Sequence, residues 1–187
     1  MHTVAVADLP ALETTVLGPG PWHEVSQQQV NLFADATGDH QWIHVDPERA
    51  ATGPFGQTIA HGYLTLSLVP ALLDELLQVH DAAQAINYGL GKARFPAPVP
   101  VGSRARLTAV VEKVEPVPSG FQVTLAVTID CDAGPKPACV AQVLYRFFGP
   151  TEPTAGGGAS CSAMARSSAA TIVAVSASSL VKTTLPL

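Results

Sequence analysis

Apolar and polar positions alternate most regularly in the second half of the chain. Phe121, Val123, Leu125, Val127 and Ile129 interleave with Gln122, Thr124, Ala126 and Thr128, the period of two expected for a strand with one face buried. Comparable extended segments lie at 86–95, 105–114 and 138–148, separated by turn-forming stretches that include Pro96, Pro98 and Pro100. Four consecutive strands predict an antiparallel meander. Upstream the spacing turns helical. Trp22 to Val25 reads as a short first strand, and Ser26 with Gln29 spells a capping box for a helix running to about Thr37, with Val30, Phe33 and Ala34 as its apolar stripe. From Tyr63 to Val79, leucines and valines cover nearly the whole circumference, which predicts a long helix buried on most sides. Pro70 should kink or divide it, because proline removes a backbone donor and crowds the preceding turn.

Three regions follow from this texture. Residues 1–21 carry short apolar runs broken by Gly and Pro and read as an arm; 22–149 form the domain; 150–187, rich in Gly, Ala, Ser and Thr, reads as a low-complexity, disordered tail. A capped helix, a loop, a long buried helix and then antiparallel strands describe an α+β domain, a single hot-dog fold in which the sheet wraps around the helix. Such a sheet leaves edge strands to be covered, so a homodimer is expected.

Composition narrows the partners. With 187 residues, 47% of them hydrophobic and 13% charged, the chain can bury a large core. Its formal charge of -5 runs against nucleic-acid binding, which calls for a basic face. Cys131, Cys139 and Cys161 show no CxxC spacing and leave an odd count, so they read as reduced packing residues in a cytoplasmic protein. No apolar run reaches the roughly 20 residues of a membrane helix.

The candidate chemistry sits in Thr37 to Ala50, TGDHQWIHVDPERA. Asp39 and His44 lie five positions apart, which on a helix would point them in different directions. They can act on one atom only if the backbone bends between them, and Gly38 before the pair and Pro47 after it make that bend. Asp46 followed by Pro47 predicts an N-cap and a short helix through Ala51.

The segment FADATGDHQWIHVDPERA resembles the hydratase-2 motif of MaoC-like, (R)-specific enoyl-CoA hydratases. Gly38-Asp39, His44, Asp46-Pro47 and Ala50 match that motif, and His61-Gly62 matches the His-Gly that opens the family's central helix. INYGLGKARFPAPVPVGSRAR is similar to the branch containing the nodulation protein NodN and mycobacterial enoyl hydratases. Gln41-Trp42 stands where many members have Asn-Pro, a departure that bears on substrate range more than on chemistry, and Gly91 stands before Lys92 where Asn is expected. The resemblance implies addition of water to a trans-2-enoyl thioester of coenzyme A or an acyl carrier. Asp39 and His44 would grip the water, and the Gly62 N–H would bind the thioester oxygen. The coenzyme is then substrate, and neither a retained cofactor nor a metal is called for. Trp42, Phe55, Ile59, His61 and Tyr63 are candidates to contact substrate. Lys92 and Arg94, with Arg104 and Arg106, are candidates for its phosphates. Two other classes stay open on this fold, an acyl-CoA thioesterase and a non-catalytic acyl-thioester-binding dimer.

Overall fold

Strands β6 (Arg104–Val117), β7 (Gly120–Cys131) and β8 (Cys139–Phe148) follow one another as antiparallel neighbours in a computed structural model that describes residues 1–150. The alternation read from sequence follows burial from Val123 to Ile129 except at Thr124, which is buried too: Leu125 opposes Val111 on one side and Val143 on the other, and all three are buried. The turn from β6 to β7 takes only Pro118 and Ser119, with Ser119 in the left-handed region at φ 65°. A link that short dictates that its two strands be neighbours.

The expected four-strand meander is not what forms. Strand β5 (Gln84–Arg94) pairs with β8 instead of β6, and the six-stranded sheet runs β2-β6-β7-β8-β5 with β3 also on β6. The reason lies in the connection. Residues 95–103 carry Pro96, Pro98 and Pro100, and a link of that length and stiffness cannot act as a hairpin turn. It carries the chain across the sheet to β6, which lies between β7 and the short strands β2 and β3.

The N-terminal residues, read as an arm, are built into the core. Strand β1 (His2–Val4) pairs in parallel with β4 (Leu77–Val79), a 3-10 helix spans Val6–Leu12, and β2 (Val16–Leu17) pairs with β6. Leu9 and Leu17 are both at 0% exposure. Strand β3 (His23–Glu24) then leads into α1 (Gln27–Thr37), whose Ser26–Gln29 capping box is formed in both directions.

The long apolar segment is divided, as Pro70 requires. Helix α4 (Gly62–Ser67) stops, and α5 (Val69–Asp74) restarts with Pro70 in its first turn, where proline is tolerated. Burial on most sides does not hold. Leu64, Thr65, Val69, Leu72 and Leu73 face the sheet, while Tyr63 is 73% exposed and Ser67 and Pro70 lie open. The sheet wraps around the buried face of this helix pair, giving the α+β hot-dog arrangement. No helix among the described residues is long and apolar enough to cross a membrane. Cys131 and Cys139 are free and buried. Cys161 and the segment read as a disordered tail lie outside the described residues.

Candidate active site

Gly38 turns the chain out of α1 just before Asp39. It caps α1 in the left-handed conformation, φ 78°, with its N–H bonded to the Ala34 carbonyl. The chain then turns at Gln41 into a single helical turn, α2 (Trp42–Val45), so His44 sits on a helix where a loop was read. Asp46 caps α3 (Pro47–Ala51), its carboxylate accepting from the Arg49 N–H at 3.0 Å.

His44 is buried, at 6% exposure, and its Nδ1 lies 2.7 Å from the Ile59 carbonyl oxygen. A carbonyl only accepts, so Nδ1 carries the proton and Nε2 presents its lone pair. Burial lowers the His44 pKa below the ordinary histidine value of 6.5, and the neighbouring His61 adds to that; the Ile59 bond and the Asp39 carboxylate pull the other way. His44 is therefore a neutral acceptor near neutral pH. The side chain of Asp39 is 56% exposed.

The two groups do not bond directly, but side-chain ligand atoms of Asp39, His44 and His61 all lie within 4.8 Å of one another. Two hydrogen bonds of about 2.8 Å can span up to about 5.6 Å, so the separation of Asp39 and His44 suits a single bridging water. His61, the residue before α4, stacks on His44 with ring centroids 3.8 Å apart, and its Nε2 is 2.9 Å from the Asp39 backbone oxygen. The sequence shows no His pair at ligand spacing; the fold creates one. With Asp39 the pair makes a set of three side chains whose ligand atoms are close enough together to hold a metal ion.

Gly62, the first residue of α4, has an N–H that precedes any intrahelical acceptor. A Cβ built on Gly62 would sit 3.0 Å from the Phe95 ring. Phe95 was not singled out from sequence; its only signal was an aromatic closing a strand before Pro96. Of the remaining candidates, Ile59 contributes its backbone, accepting from His44 and donating to the Ile43 carbonyl at 3.0 Å. Trp42 is held between Arg49, 4.5 Å from the ring centroid, and Gly53. Phe55 and Tyr63 are exposed. Arg104 and Arg106 are paired with Asp132 and Asp130, whereas Lys92 and Arg94 form no ion pair among the described residues.

Gln27 was also missed. Its Nε2 donates to the His44 carbonyl at 2.7 Å, and its Oε1 accepts from Thr58 at 2.6 Å, tying α1, α2 and the segment before Ile59 together. One turn beyond Gly62, a cleft of about 220 Å³ opens between α4, α5 and the sheet, lined by Leu66, Val69, Pro70, Leu90, Val143 and Tyr145 among others. None of Trp42, Phe55, Ile59 or Tyr63 lines it. Burial pushes the Tyr145 hydroxyl up to about 12.

The sequence from residue 11 to residue 130 matches the model of the MaoC like domain. The chain belongs to the MaoC-like dehydratase family. A MaoC-like relative, 3-hydroxyacyl-thioester dehydratase Z of Mycobacterium tuberculosis, is 54% identical over 144 residues, 76% of this chain and 95% of that one. Nodulation protein N of Rhizobium leguminosarum bv. viciae is 42% identical over 144 residues, covering 75% and 89%. Among solved structures, the R-hydratase PhaJ1 of Pseudomonas aeruginosa shares the fold at a TM-score of 0.63 and 23% identity, covering 85% of this chain and 97% of that one. This MaoC-like protein is accordingly an enzyme of the hydratase and dehydratase class.

Proposed function

We propose that the protein catalyses the reversible hydration of trans-2-enoyl-CoA to (R)-3-hydroxyacyl-CoA. The observation that carries this reading is that a carboxylate oxygen of Asp39 and a ring nitrogen of His44 lie within 4.8 Å of each other, while the bond from His44 Nδ1 to Ile59 leaves Nε2 as the acceptor. A water held between them can lose a proton as its oxygen attacks C3. That proton, relayed through the pair, reaches C2, so that water adds across the double bond with nothing left over. General acid–base help of this kind is worth roughly 100- to 10,000-fold. Negative charge gathers on the thioester oxygen during the attack, and the Gly62 N–H is the donor we assign to it; such a donor is worth roughly 100- to 1,000-fold. The reaction needs no metal and no retained cofactor, since coenzyme A arrives as part of the substrate.

The relatives named for 3-hydroxyacyl-thioester and 3-hydroxybutyryl-CoA dehydration support the substrate class. The cleft beyond Gly62 is the place for the acyl chain, and Lys92 and Arg94 on β5 supply positive charge for the coenzyme phosphates. Among the described residues strand β5 ends the sheet and exposes Ile86, Tyr88 and Leu90. A second copy pairing there would cover both the free edge and these side chains, which supports a homodimer.

Crotonyl-CoA tests the reading. Hydration removes the conjugated enoyl absorbance and releases no thiol. Free thiol in place of hydroxyacyl product would make the protein a thioesterase, and neither product would leave hydration of this substrate without support.

A further inference from the structure

We infer that His61 is a positioning residue that braces the water-holding pair against the start of α4; this rests on the hydration reading above. Three observations meet at this side chain. Its Nε2 donates to the backbone carbonyl of Asp39 at 2.9 Å, and the Asp39 carboxylate stays 4.0 Å from the same nitrogen. The bond therefore fixes where Asp39 sits while leaving its carboxylate for water. The ring stacks on His44 at 3.8 Å, and Phe33 of α1 packs on His61 at 5.0 Å. His44 is thereby held on one face by His61 and at Nδ1 by Ile59.

The other His61 nitrogen, Nδ1, is buried without a hydrogen-bond partner among the described residues, and the residue is 3% exposed. Its ring lies beneath the surface, packed between Phe33 and His44. His61 acts through what it holds.

The consequence is a common reference frame. Asp39 lies in the link after α1, His44 on α2, and Gly62 begins α4, so each is positioned by a different part of the fold. His61 is covalently joined to Gly62, bonded to Asp39 and stacked on His44, so one rigid side chain sets the distance from the water to the oxyanion donor. Misplacing reacting groups by about 1 Å costs on the order of 100-fold.

Two variants separate the two grips. His61→Phe keeps an aromatic face for His44 and loses the donor to Asp39. His61→Gln keeps an amide donor and loses the stack. Each should lower kcat for crotonyl-CoA hydration by roughly 10- to 100-fold, with KM within about threefold of the parent. Made in a His44→Gln background, either change should cost less than about threefold, because residues working through one another are non-additive. Equal costs in both backgrounds would overturn the proposal, as would a raised KM at unchanged kcat, which marks a substrate contact.

Imidazole NMR reads the brace without turnover. His44 should hold its Nδ1–H tautomer with narrow lines in the parent and show exchange broadening in His61→Gln. A His44 ring unaltered in both variants would overturn the brace even if crotonyl-CoA proved not to be a substrate, whereas a parent without hydratase activity but with the expected NMR change would remove only the functional reading.

Discussion

Substituting Asp39 and His44, the two residues to which we assign the water, should separate catalysis from stability, because the proposed role is shared but the environment is not. Asp39→Asn keeps the shape and removes the proton acceptor. The Asp39 side chain is 56% exposed, and its contact with the brace is through the backbone oxygen, which asparagine retains. Exposed substitutions of this kind stay within about 0.5 kcal/mol. Turnover of crotonyl-CoA should nevertheless fall by roughly 100- to 10,000-fold, or about 2.7 to 5.5 kcal/mol of transition-state stabilisation. His44→Gln should lose activity on the same scale and fold less stably as well. The ring it removes is buried, stacked on His61 and bonded to the Ile59 carbonyl at 2.7 Å. Leaving a buried carbonyl without its donor costs about 1 to 3 kcal/mol, which in a domain of this size lowers the melting temperature by about 2 to 12 °C. The assays are enoyl absorbance for rate and a thermal melt for stability, both on the full chain. Asp39→Asn retaining more than about a tenth of parental turnover would refute its role as proton acceptor. A His44→Gln protein melting with the parent would refute the claim that the imidazole is held by its surroundings.

Further outcomes follow from the same structure. The catalytic efficiency should fall as pH is lowered through the His44 pKa, which lies below 6.5, because protonation removes the Nε2 lone pair; a profile whose acid limb falls away above pH 6.5 would contradict this. Stability has the same sign: with its folded pKa depressed, His44 takes up a proton more readily in the unfolded chain, so it adds a destabilising contribution as pH falls below 6.5. Leu9→Ala, at a side chain with 0% exposure, should cost about 2 to 5 kcal/mol in urea unfolding, an outcome incompatible with residues 1–21 being a detachable arm. Gln27→Leu leaves the His44 carbonyl and the buried Thr58 hydroxyl without their shared partner, and should lower stability by about 1 to 3 kcal/mol along with kcat; unchanged values for both would show that this network positions nothing.

Features encoded by neighbouring residues were readable in the sequence. The Ser26–Gln29 box, the Asp46-Pro47 cap and the division at Pro70 each depend on a few adjacent side chains, and each is present. Strand alternation likewise reported which face of β7 is buried from Val123 onward. Order within the sheet was not readable, because the partner of β5 is chosen by packing and by a proline-rich link, not by anything within β5 itself. The N-terminal residues misled for a related reason. Leu9 and Leu17 reach the core from a 3-10 helix and a two-residue strand, elements too short to leave a periodic signature. Hydrophobicity also overstated the burial of α4 and α5, since an apolar face written for its own sheet and one left open look alike in one dimension. At the site, the Asp39–His44 pair and His61-Gly62 could be found by their motif. Phe95 and Gln27 could not, because their contacts with Gly62 and His44 join elements far apart in the chain.

The position of β5 has a consequence for how the enzyme is made. Among the described residues its one sheet neighbour is β8, so Gln84 finds its partner at Phe148 and Ala85 at Phe147. As the polypeptide leaves the ribosome, β5 and the Phe95 that follows it must wait until the last strand of the domain has been synthesised. Asp39, His44 and Gly62 emerge early, but the wall opposite α4 is assembled last. A nascent or prematurely ended chain lacking β8 therefore carries every group assigned to the chemistry and has no closed site in which to use them.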